Sequence, residues 1–257
     1  MTSITLGLIC FGCVSGGTLF GYFLSRNLPV HHLSTESKDT IKMAWGIVAT
    51  MSALVLSLLL SSAKASFDSV NSEMTQAGAK IIVLDQVLDR YGPETQATRQ
   101  ELRKDVAARI QRVWPDEKIA TTETPASITL TQGRGMRDLQ DDLGKLTPQN
   151  DNQRSLLAQA QQLAGDLVMA RWLVVEQSRT FLPYLFYWVL VFWLTILFTG
   201  IGLFAPANKT VLTALFVCNL SLSAAVFLIE EMNHPLDGVV KVSSAPMREA
   251  IDYLNQP

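Results

Sequence analysis

The sequence predicts an all-α membrane protein with four transmembrane helices and a helical stalk domain inserted between the second and third of them. Only 17% of the 257 residues are charged, whereas soluble domains carry about a quarter. Charge is absent from four whole segments, residues 2–25, 43–63, 180–208 and 210–229. Each segment reaches the roughly 20 residues that a helix needs to cross the hydrocarbon core. The long stretch between the second and third segments shows apolar residues at helical spacing and no competing strand pattern.

The charge-free segments place the four spans at residues 5–24, 43–62, 183–204 and 210–229. The first span is interpreted as a retained anchor and not as a signal peptide, because no positive charge precedes it. The predicted domains are residues 1–62 for the first two spans, 63–181 for the stalk, 182–232 for the last two spans and 233–257 for a polar tail.

The second span is predicted to continue into the stalk as one helix. From Phe67 to Tyr91, apolar residues recur every three or four positions, which predicts a buried seam. Stepping backwards from Phe67, the seam passes through Ala63, Leu60, Leu56, Ala53, Ala49 and Gly46. No proline lies between Pro29 and Pro93, so the helix is expected to end only at Gly92-Pro93.

Further helices are predicted from residue 93 to Trp114, around residues 136–143, after Pro148 and around residues 247–254. The helix after Pro148 carries a second apolar seam. Two long seams at the two ends of the stalk predict an antiparallel helix pair.

One face of the second span carries small and hydroxyl-bearing residues, and we call it the small-residue face. It consists of Gly46, Thr50, Ala53, Ser57 and Ser61. Such a face can line a water-filled path for ions, or it can seat a neighbouring helix, and the sequence leaves both interpretations open.

The first span contains two consecutive glycine pairs, Gly12-x3-Gly16 and Gly17-x3-Gly21. Glycines at this spacing allow helix backbones to approach closely in lipid. We therefore expect tight packing of the first span, either inside one chain or between chains, with a hinge for gating as the alternative.

Asn219 lies deep in the fourth span, and Ser223 follows one turn later. Because an amide in lipid needs a partner, Asn219 is expected to form a hydrogen bond between helices, with contact to an ion as the alternative.

Glu230 and Glu231 directly follow the fourth span. We expect their carboxylates to reach water where the helix leaves the membrane, and to line a cytoplasmic vestibule together with His234 and Asp237. A metal site formed by these four residues is the weaker alternative.

Enzymatic and nucleic-acid-binding functions are not expected. The chain contains no G-x-S-x-G, no phosphate-binding loop and no H-E-x-x-H. Residues 63–181 hold fifteen basic and sixteen acidic residues, a balance that does not favour nucleic acid. No metal or other cofactor is predicted, and the expected partners are the lipid bilayer, further copies of the chain and inorganic anions.

Basic residues near the spans predict the orientation. Six lie on the side of the amino terminus, stalk and tail, and four lie on the opposite side. The positive-inside rule therefore favours a cytoplasmic stalk in a multi-pass cell-membrane protein.

Four stretches carry a resemblance to a known family. They are LPVHHLSTESKDTIKMAWGIVATMSALVLSLLLSSAKASFD, RYGPE, RVWP and HPLDGVVKVSSAPMREA. Together they make the chain similar to the bestrophin-like membrane-protein family. The order of spans, turn and tail also resembles, more distantly, the bestrophin anion channels.

The resemblance to the bestrophin-like family implies membership in it and no particular activity. By analogy of layout with the bestrophins, we expect an oligomeric, anion-conducting channel whose pore is lined by the second span. The chain departs from the bestrophins in two respects. Their second span narrows the pore with bulky apolar residues, whereas the only aromatic residue in this span is Trp45, at its start. The acidic cluster that serves calcium sensing in animal bestrophins is also absent. The alternative function is a membrane-anchored scaffold or sensor whose helical stalk binds partner proteins.

Overall fold

The computed structural model describes residues 3–27, 35–115, 135–177, 184–206, 208–236 and 238–256. Within these ranges the regular structure is helical and there is no β-strand. The helices are α1 (Ser3–Asn27), α2 (Thr35–Tyr91), α3 (Gln96–Val113), α4 (Gly135–Lys145), α5 (Asp151–Gln177), α6 (Tyr184–Phe204), α7 (Lys209–Met232) and α8 (Ala245–Leu254). Four of them, α1, α2, α6 and α7, are long and apolar enough to cross a membrane. The all-helical class and the four apolar helices are confirmed, whereas a stalk inserted between the second and third spans stays a prediction.

α2 is a single helix of 57 residues, which corresponds to about 86 Å at 1.5 Å per residue. It contains no proline. It ends before Gly92, whose φ of 137° is rarely adopted by residues other than glycine. The expected continuation of the second span to Tyr91 is therefore confirmed. The helix begins at Thr35, ahead of the predicted start of the span at residue 43.

The turn after α2 is held by two polar side chains. The buried Thr95 hydroxyl lies 2.6 Å from the carbonyl oxygen of Leu88 and 2.8 Å from that of Gly92. Gln153 of α5 donates its side-chain N–H to the carbonyl of Tyr91 at 3.1 Å. These contacts satisfy carbonyl groups that the end of a helix leaves without partners.

The chain divides into two compact units, and α2 contributes to both. The apolar unit comprises Met1–Phe67 and Phe181–Val240, and the polar unit comprises Asp68–Thr180 and Lys241–Pro257. The residues after 240, assigned from the sequence to a separate tail, thus belong to the polar unit.

Inside the apolar unit, α1 packs closely on α6 through glycine. A Cβ atom at Gly17 would lie 2.7 Å from the hydroxyl oxygen of Thr199, and one at Gly21 would overlap the Thr199 carbonyl. A Cβ atom at Gly12 or Gly16 would meet nothing within 4 Å beyond its own helix backbone. Of the two glycine pairs, Gly17 and Gly21 therefore form the one that packs against α6.

In the polar unit, the predicted seam of α2 is buried, with Val70, Met74, Ala77, Ile81, Leu84, Leu88 and Tyr91 in the core. α5 contacts α2 at two points. Lys80 lies 3.2 Å from Asp166, and the Gln153 side chain reaches the Tyr91 carbonyl. Residue numbers rise along α2 as they fall along α5, so the expected antiparallel pair is confirmed.

Upstream of Ala63, only Leu56 of the predicted seam is packed and the rest of the prediction is wrong. The packed positions are Trp45, Val48, Ser52, Val55, Leu56, Leu59 and Ala63. The exposed positions of the predicted seam are Gly46, Ala49, Ala53 and Leu60. The five predicted steps from Gly46 to Ala63 cover 17 residues, or 3.4 per turn. Because an α-helix turns once in 3.6 residues, these steps drift by about 100° away from the buried side.

The helix near the carboxyl end, α8, is a packed part of the polar unit. It buries Met247, Ala250, Ile251 and Leu254. The Trp114 indole N–H donates to the Val242 carbonyl at 2.9 Å, and Gln86 donates to the Tyr253 hydroxyl at 2.8 Å. An amphipathic helix of this kind gains stability by burying its apolar side, which explains why it folds against the unit.

A buried ion pair joins α3 to α2. Two nitrogens of Arg99 each lie 2.8 Å from one oxygen of Asp85, a side chain that is 3% exposed. Arg99 also contacts Asp89. The hydrogen bond to Asp85 raises the pKa of Arg99, so the guanidinium stays charged and the bidentate pair fixes the angle between the helices.

The contact between α1 and α6 can be tested with a matched pair of substitutions. Gly21→Ala places a methyl group against the Thr199 backbone, whereas Gly16→Ala places the same group in open space. We expect Gly21→Ala to destabilise the protein by about 1–3 kcal/mol, the usual penalty of overpacking. Gly16→Ala is expected to leave the thermal unfolding midpoint in detergent unchanged, or to raise it slightly. Equal midpoints for the two variants would contradict the packing.

Candidate functional site

The membrane-spanning part of α2 has one packed face and one open face. On the packed face, the Trp45 ring fills the space beside Gly200, and its centroid lies 5.3 Å from that of Phe204. Ser52 and Leu59 continue this face and are buried. Only 11% of the most apolar stretch of α2 is buried within the chain, against 44% for α6. α2 therefore presents most of its surface to the outside of its own chain.

The small-residue face lies on the open side of α2, and all five of its residues are exposed. A Cβ atom at Gly46 would meet nothing within 4 Å beyond its own helix backbone. Since each helical residue turns by about 100°, the face lies about 150° around the helix from the packed positions. Packing against another helix of the same chain, one of the two interpretations of this face, therefore does not occur within the described ranges.

The hydroxyl group of Thr50 is engaged by its own helix. It donates to the Gly46 carbonyl at 2.9 Å, a pattern that threonine adopts readily in helices. Its oxygen keeps acceptor capacity, but its proton is already used. The small-residue face therefore has room for a small ligand such as an ion and is weakly polar, but it carries no group that would bind an ion strongly.

Two lysines extend the small-residue face at its ends. Lys42 precedes Gly46 by four residues, and Lys64 follows Ser61 by three, so both lie on the same side of α2 as the face. Both side chains are exposed, and Lys42 lies 3.7 Å from the equally exposed Asp39. The spacing of these lysines along the sequence already places them in register with the face. The face is uncharged along its length, and each lysine at its ends has an aspartate on the same side of α2, Asp39 three residues before Lys42 and Asp68 four residues after Lys64.

Asn219 forms the interhelical hydrogen bond that the sequence predicts. Its side-chain N–H2 group donates to the Thr18 hydroxyl of α1 at 3.1 Å and approaches the Ser15 hydroxyl at 3.4 Å. Thr18 donates in turn to the Val14 carbonyl at 2.9 Å. The buried Asn219 Oδ1 has no hydrogen-bond partner within the described part of the chain. The donor side of the amide thus ties α7 to α1.

Ser223 lies one turn beyond Asn219 on α7 and is bonded to the backbone of the same helix. Its hydroxyl is buried and donates to the Asn219 carbonyl at 2.8 Å. The side chain therefore satisfies its own polar group locally, as a buried serine in a helix must.

The expectation that Glu230 and Glu231 reach water is wrong within this chain. Both residues belong to the last turn of α7 and are 3% and 2% exposed. One carboxylate oxygen of Glu231 accepts the backbone N–H groups of Val239 and Val240, the latter at 3.2 Å. The chain after α7 folds back over Glu231. The side chain is therefore buried although it lies at the end of the helix.

His234 lies beside the first of these glutamates, with Nε2 at 3.4 Å from Glu230 Oε1. Asp237, the fourth residue of the expected vestibule, lies outside the described residues. Among the residues that the structure describes, no group of three or more His, Cys, Asp or Glu side chains is arranged to hold a metal ion. The geometry brings Glu230 and His234 together and assigns Glu231 to a separate contact.

Sequence reasoning missed one buried polar contact next to this cluster. The side-chain N–H of Asn233 donates to the Tyr187 hydroxyl at 2.7 Å, and both residues are buried. The contact links the end of α7 to the first turn of α6. An asparagine after a helix usually marks an exposed turn, so the sequence contained no signal for a partner 46 residues away.

Four apolar helices, buried polar links between them and an uncharged open face define a helical membrane protein. Comparison with known families agrees with this class. The Bestrophin-like domain profile matches residues 12–247, nearly the whole chain. The chain belongs to the bestrophin-like family. No curated protein and no solved structure matches it.

Proposed function

We propose that the chain is one subunit of an oligomeric ion channel that conducts anions, and that the small-residue face of α2 lines the path. The exposure of this face on the side of α2 opposite the packed residues carries the proposal. Membership in the bestrophin-like family supports it. The proposal assigns no catalysis, metal or cofactor to the chain.

The chemistry of the small-residue face suits conduction. Glycine, alanine and serine leave room beside the helix for hydrated ions, and no charged group along the face would trap them. Conduction requires binding that is weak enough for ions to leave again. The Thr50 hydroxyl, already bonded to its own helix, meets that requirement.

Several copies are needed because one chain does not enclose a path. Within the described ranges no helix of the same chain covers the small-residue face. The four spans of one chain also enclose too little volume for a pore within that chain. A ring of subunits around a symmetry axis would enclose the path on its other sides. A closed ring would turn the open face of every α2 toward the axis.

The preference for anions is proposed from the layout shared with the bestrophins, and the lysines at the two ends of the face are the groups through which it can be tested. Positive charge at the mouths of a low-dielectric path raises the local concentration of anions and lowers that of cations. Screening by salt limits this effect to distances of about 8–10 Å under physiological conditions. Lys42 and Lys64, in register with the face, would fall within that range of ions entering it.

We place the polar unit in the cytoplasm of a multi-pass cell-membrane protein, on the charge asymmetry of six basic residues against four. The alternative function is a membrane-anchored scaffold or sensor, in which the spans only anchor and the polar unit binds partner proteins. The two functions differ in whether purified protein conducts ions at all.

Tryptophan substitution tests the path. Ser57→Trp and Ala53→Trp add a bulky ring to the small-residue face, whereas Leu58→Trp adds it to a neighbouring, 70% exposed position about 100° around the helix. In chloride-flux measurements on reconstituted liposomes, we expect the first two variants to lose about nine-tenths of the flux, because a ring would fill the narrow path. Leu58→Trp should conduct like the unmodified protein.

Unchanged flux in Ser57→Trp and Ala53→Trp would remove α2 from the path. The absence of flux in the unmodified protein would favour the scaffold. Folding is checked for each variant by its thermal unfolding midpoint.

Charge reversal tests the preference for anions. Lys64→Glu changes the charge at one mouth by two units, which at about 8 Å in water is worth about 1 kcal/mol. Because this change opposes chloride and favours potassium by about 1 kcal/mol each, the permeability ratio of chloride to potassium, measured from the reversal potential in a salt gradient, is expected to fall about thirtyfold at low ionic strength and less where salt screens the charge. Lys104→Glu, on the exposed side of α3, serves as the control and should leave the ratio unchanged. A ratio that stays constant in Lys64→Glu would contradict the role of this lysine.

A further inference from the structure

The carboxyl-terminal part of α5 carries large apolar side chains on its outer side. Met169, Trp172 and Leu173 are 64%, 59% and 41% exposed, and their spacing of three and four residues places them next to one another on the helix. We call these three residues the α5 patch. The patch lies roughly opposite the side of α5 that is packed in the polar unit. The buried residues of that packed side are Ala160, Ala164, Leu167, Ala170 and Val174.

The α5 patch holds most of the exposed large apolar side chains of the polar unit. Among the residues of this unit that the structure describes, the others are Val83 and Tyr253, at 39% and 36% exposed. The Tyr253 hydroxyl accepts a hydrogen bond from Gln86. Single apolar residues are common on protein surfaces, whereas a group of adjacent ones marks a contact with another apolar surface.

The outer side of α5 changes from polar to apolar in the direction of α6. Gln162 and Gln161 lie on the same side of the helix as the patch, seven residues before Met169 and eleven before Trp172, and both are exposed. The change takes place over about 10 Å of helix. It leads toward α6, which is apolar from its first turn and long enough to cross a membrane. A bilayer accounts for this direction, whereas a contact with another polar surface does not.

The connection to α6 allows the patch to reach the bilayer surface. Trp172 precedes Gln177, the last residue of α5, by five residues, or about 7.5 Å of helix. From there to Tyr184, the first residue of α6, the chain spans at most about 25 Å. The polar headgroup layer on each side of the hydrocarbon core is about 5–8 Å thick. The patch is therefore tethered within reach of the headgroups.

We propose that the α5 patch docks on the surface of the lipid bilayer, with the indole ring of Trp172 at the level of the headgroups. Tryptophan suits this position because its ring is apolar and its N–H finds a partner in the hydrated layer. Removing Met169 and Leu173 from water drives the docking, so it needs no anionic lipid. The polar unit thereby gains an attachment to the membrane besides the helices that cross it. The proposal depends on the four apolar spans and not on ion conduction.

A nitroxide label at position 169 tests the docking. The label is attached to Met169→Cys in the full-length chain, whose three native cysteines are replaced, and the protein is reconstituted in phosphatidylcholine liposomes. Oxygen concentrates in lipid, whereas a charged nickel chelate stays in water. We expect the ratio of oxygen accessibility to nickel accessibility to be higher at position 169 than at a label on Gln162→Cys. The control position lies two turns away on the same side of α5 and is also exposed.

Two substitutions in the chain labelled at position 169 assign the effect to the patch. Trp172→Gln removes the aromatic ring and is expected to lower the ratio to the value found at position 162. Val83→Gln removes an exposed apolar side chain of the same unit from outside the patch, and it should leave the ratio unchanged. Because both positions are exposed, the two variants should keep the thermal unfolding midpoint of the labelled parent.

Three results would overturn the proposal. Equal ratios at positions 169 and 162 would place the patch in water. Low accessibility of the label at position 169 to both reagents, with dipolar coupling between labels, would make the patch a contact with a second copy of the chain. A ratio that stays high in Trp172→Gln would reduce the effect to the short connection between α5 and α6.

Discussion

An α-helix repeats every 3.6 residues, and α2 keeps that repeat without interruption over 57 residues. Within the apolar unit, the packed side of the helix is formed by residues such as Trp45, Ser52 and Leu59. Within the polar unit, it is formed by the seam from Val70 to Tyr91. The open orientation of the small-residue face follows from this constraint, since on the side opposite the packed residues no helix of the described ranges covers it.

Buried polar groups of the apolar unit are arranged as specific links between helices. Asn219 joins α7 to α1, and Asn233 joins the end of α7 to α6. Glu231 holds the chain that follows α7 by accepting two backbone N–H groups. In an apolar environment an unpaired polar group costs several kcal/mol. These links therefore favour one packing arrangement of α1, α6 and α7, against which α2 rests mainly through apolar side chains such as Trp45 and Leu59.

Most of the helices could be predicted, because the absence of charge identifies apolar helices and proline marks where a helix ends. The absence of charge located all four apolar helices, and Gly92-Pro93 ended α2 at the expected residue. The seam from Val70 to Tyr91 was also predicted correctly, since its spacing stays close to the helical repeat. On the amino-terminal side of Ala63, each turn of α2 carries several apolar residues. Spacing alone therefore does not indicate that Leu59 is buried and Leu60 is exposed.

Contacts between distant segments were beyond the sequence. The burial of Glu231 depends on residues 239 and 240 folding back, and nothing in a helix end followed by glycine and proline signals this. The choice between the two glycine pairs of α1 depends on where Thr199 of α6 lies, which spacing within α1 does not encode. In the proposed oligomer the small-residue face meets other copies of the chain, and spacing within one helix does not encode such a contact.

The orientation of α2 between copies is tested most directly by dipolar distances between spin labels. A single label is attached to a cysteine at position 57 or at position 58, in a chain whose three native cysteines have been replaced. With one label per chain, any dipolar coupling arises between copies. The account predicts coupling at both positions in liposomes, with a shorter distance for Ser57→Cys than for Leu58→Cys, because the small-residue face turns toward the axis. No coupling, or a shorter distance at position 58, would contradict it.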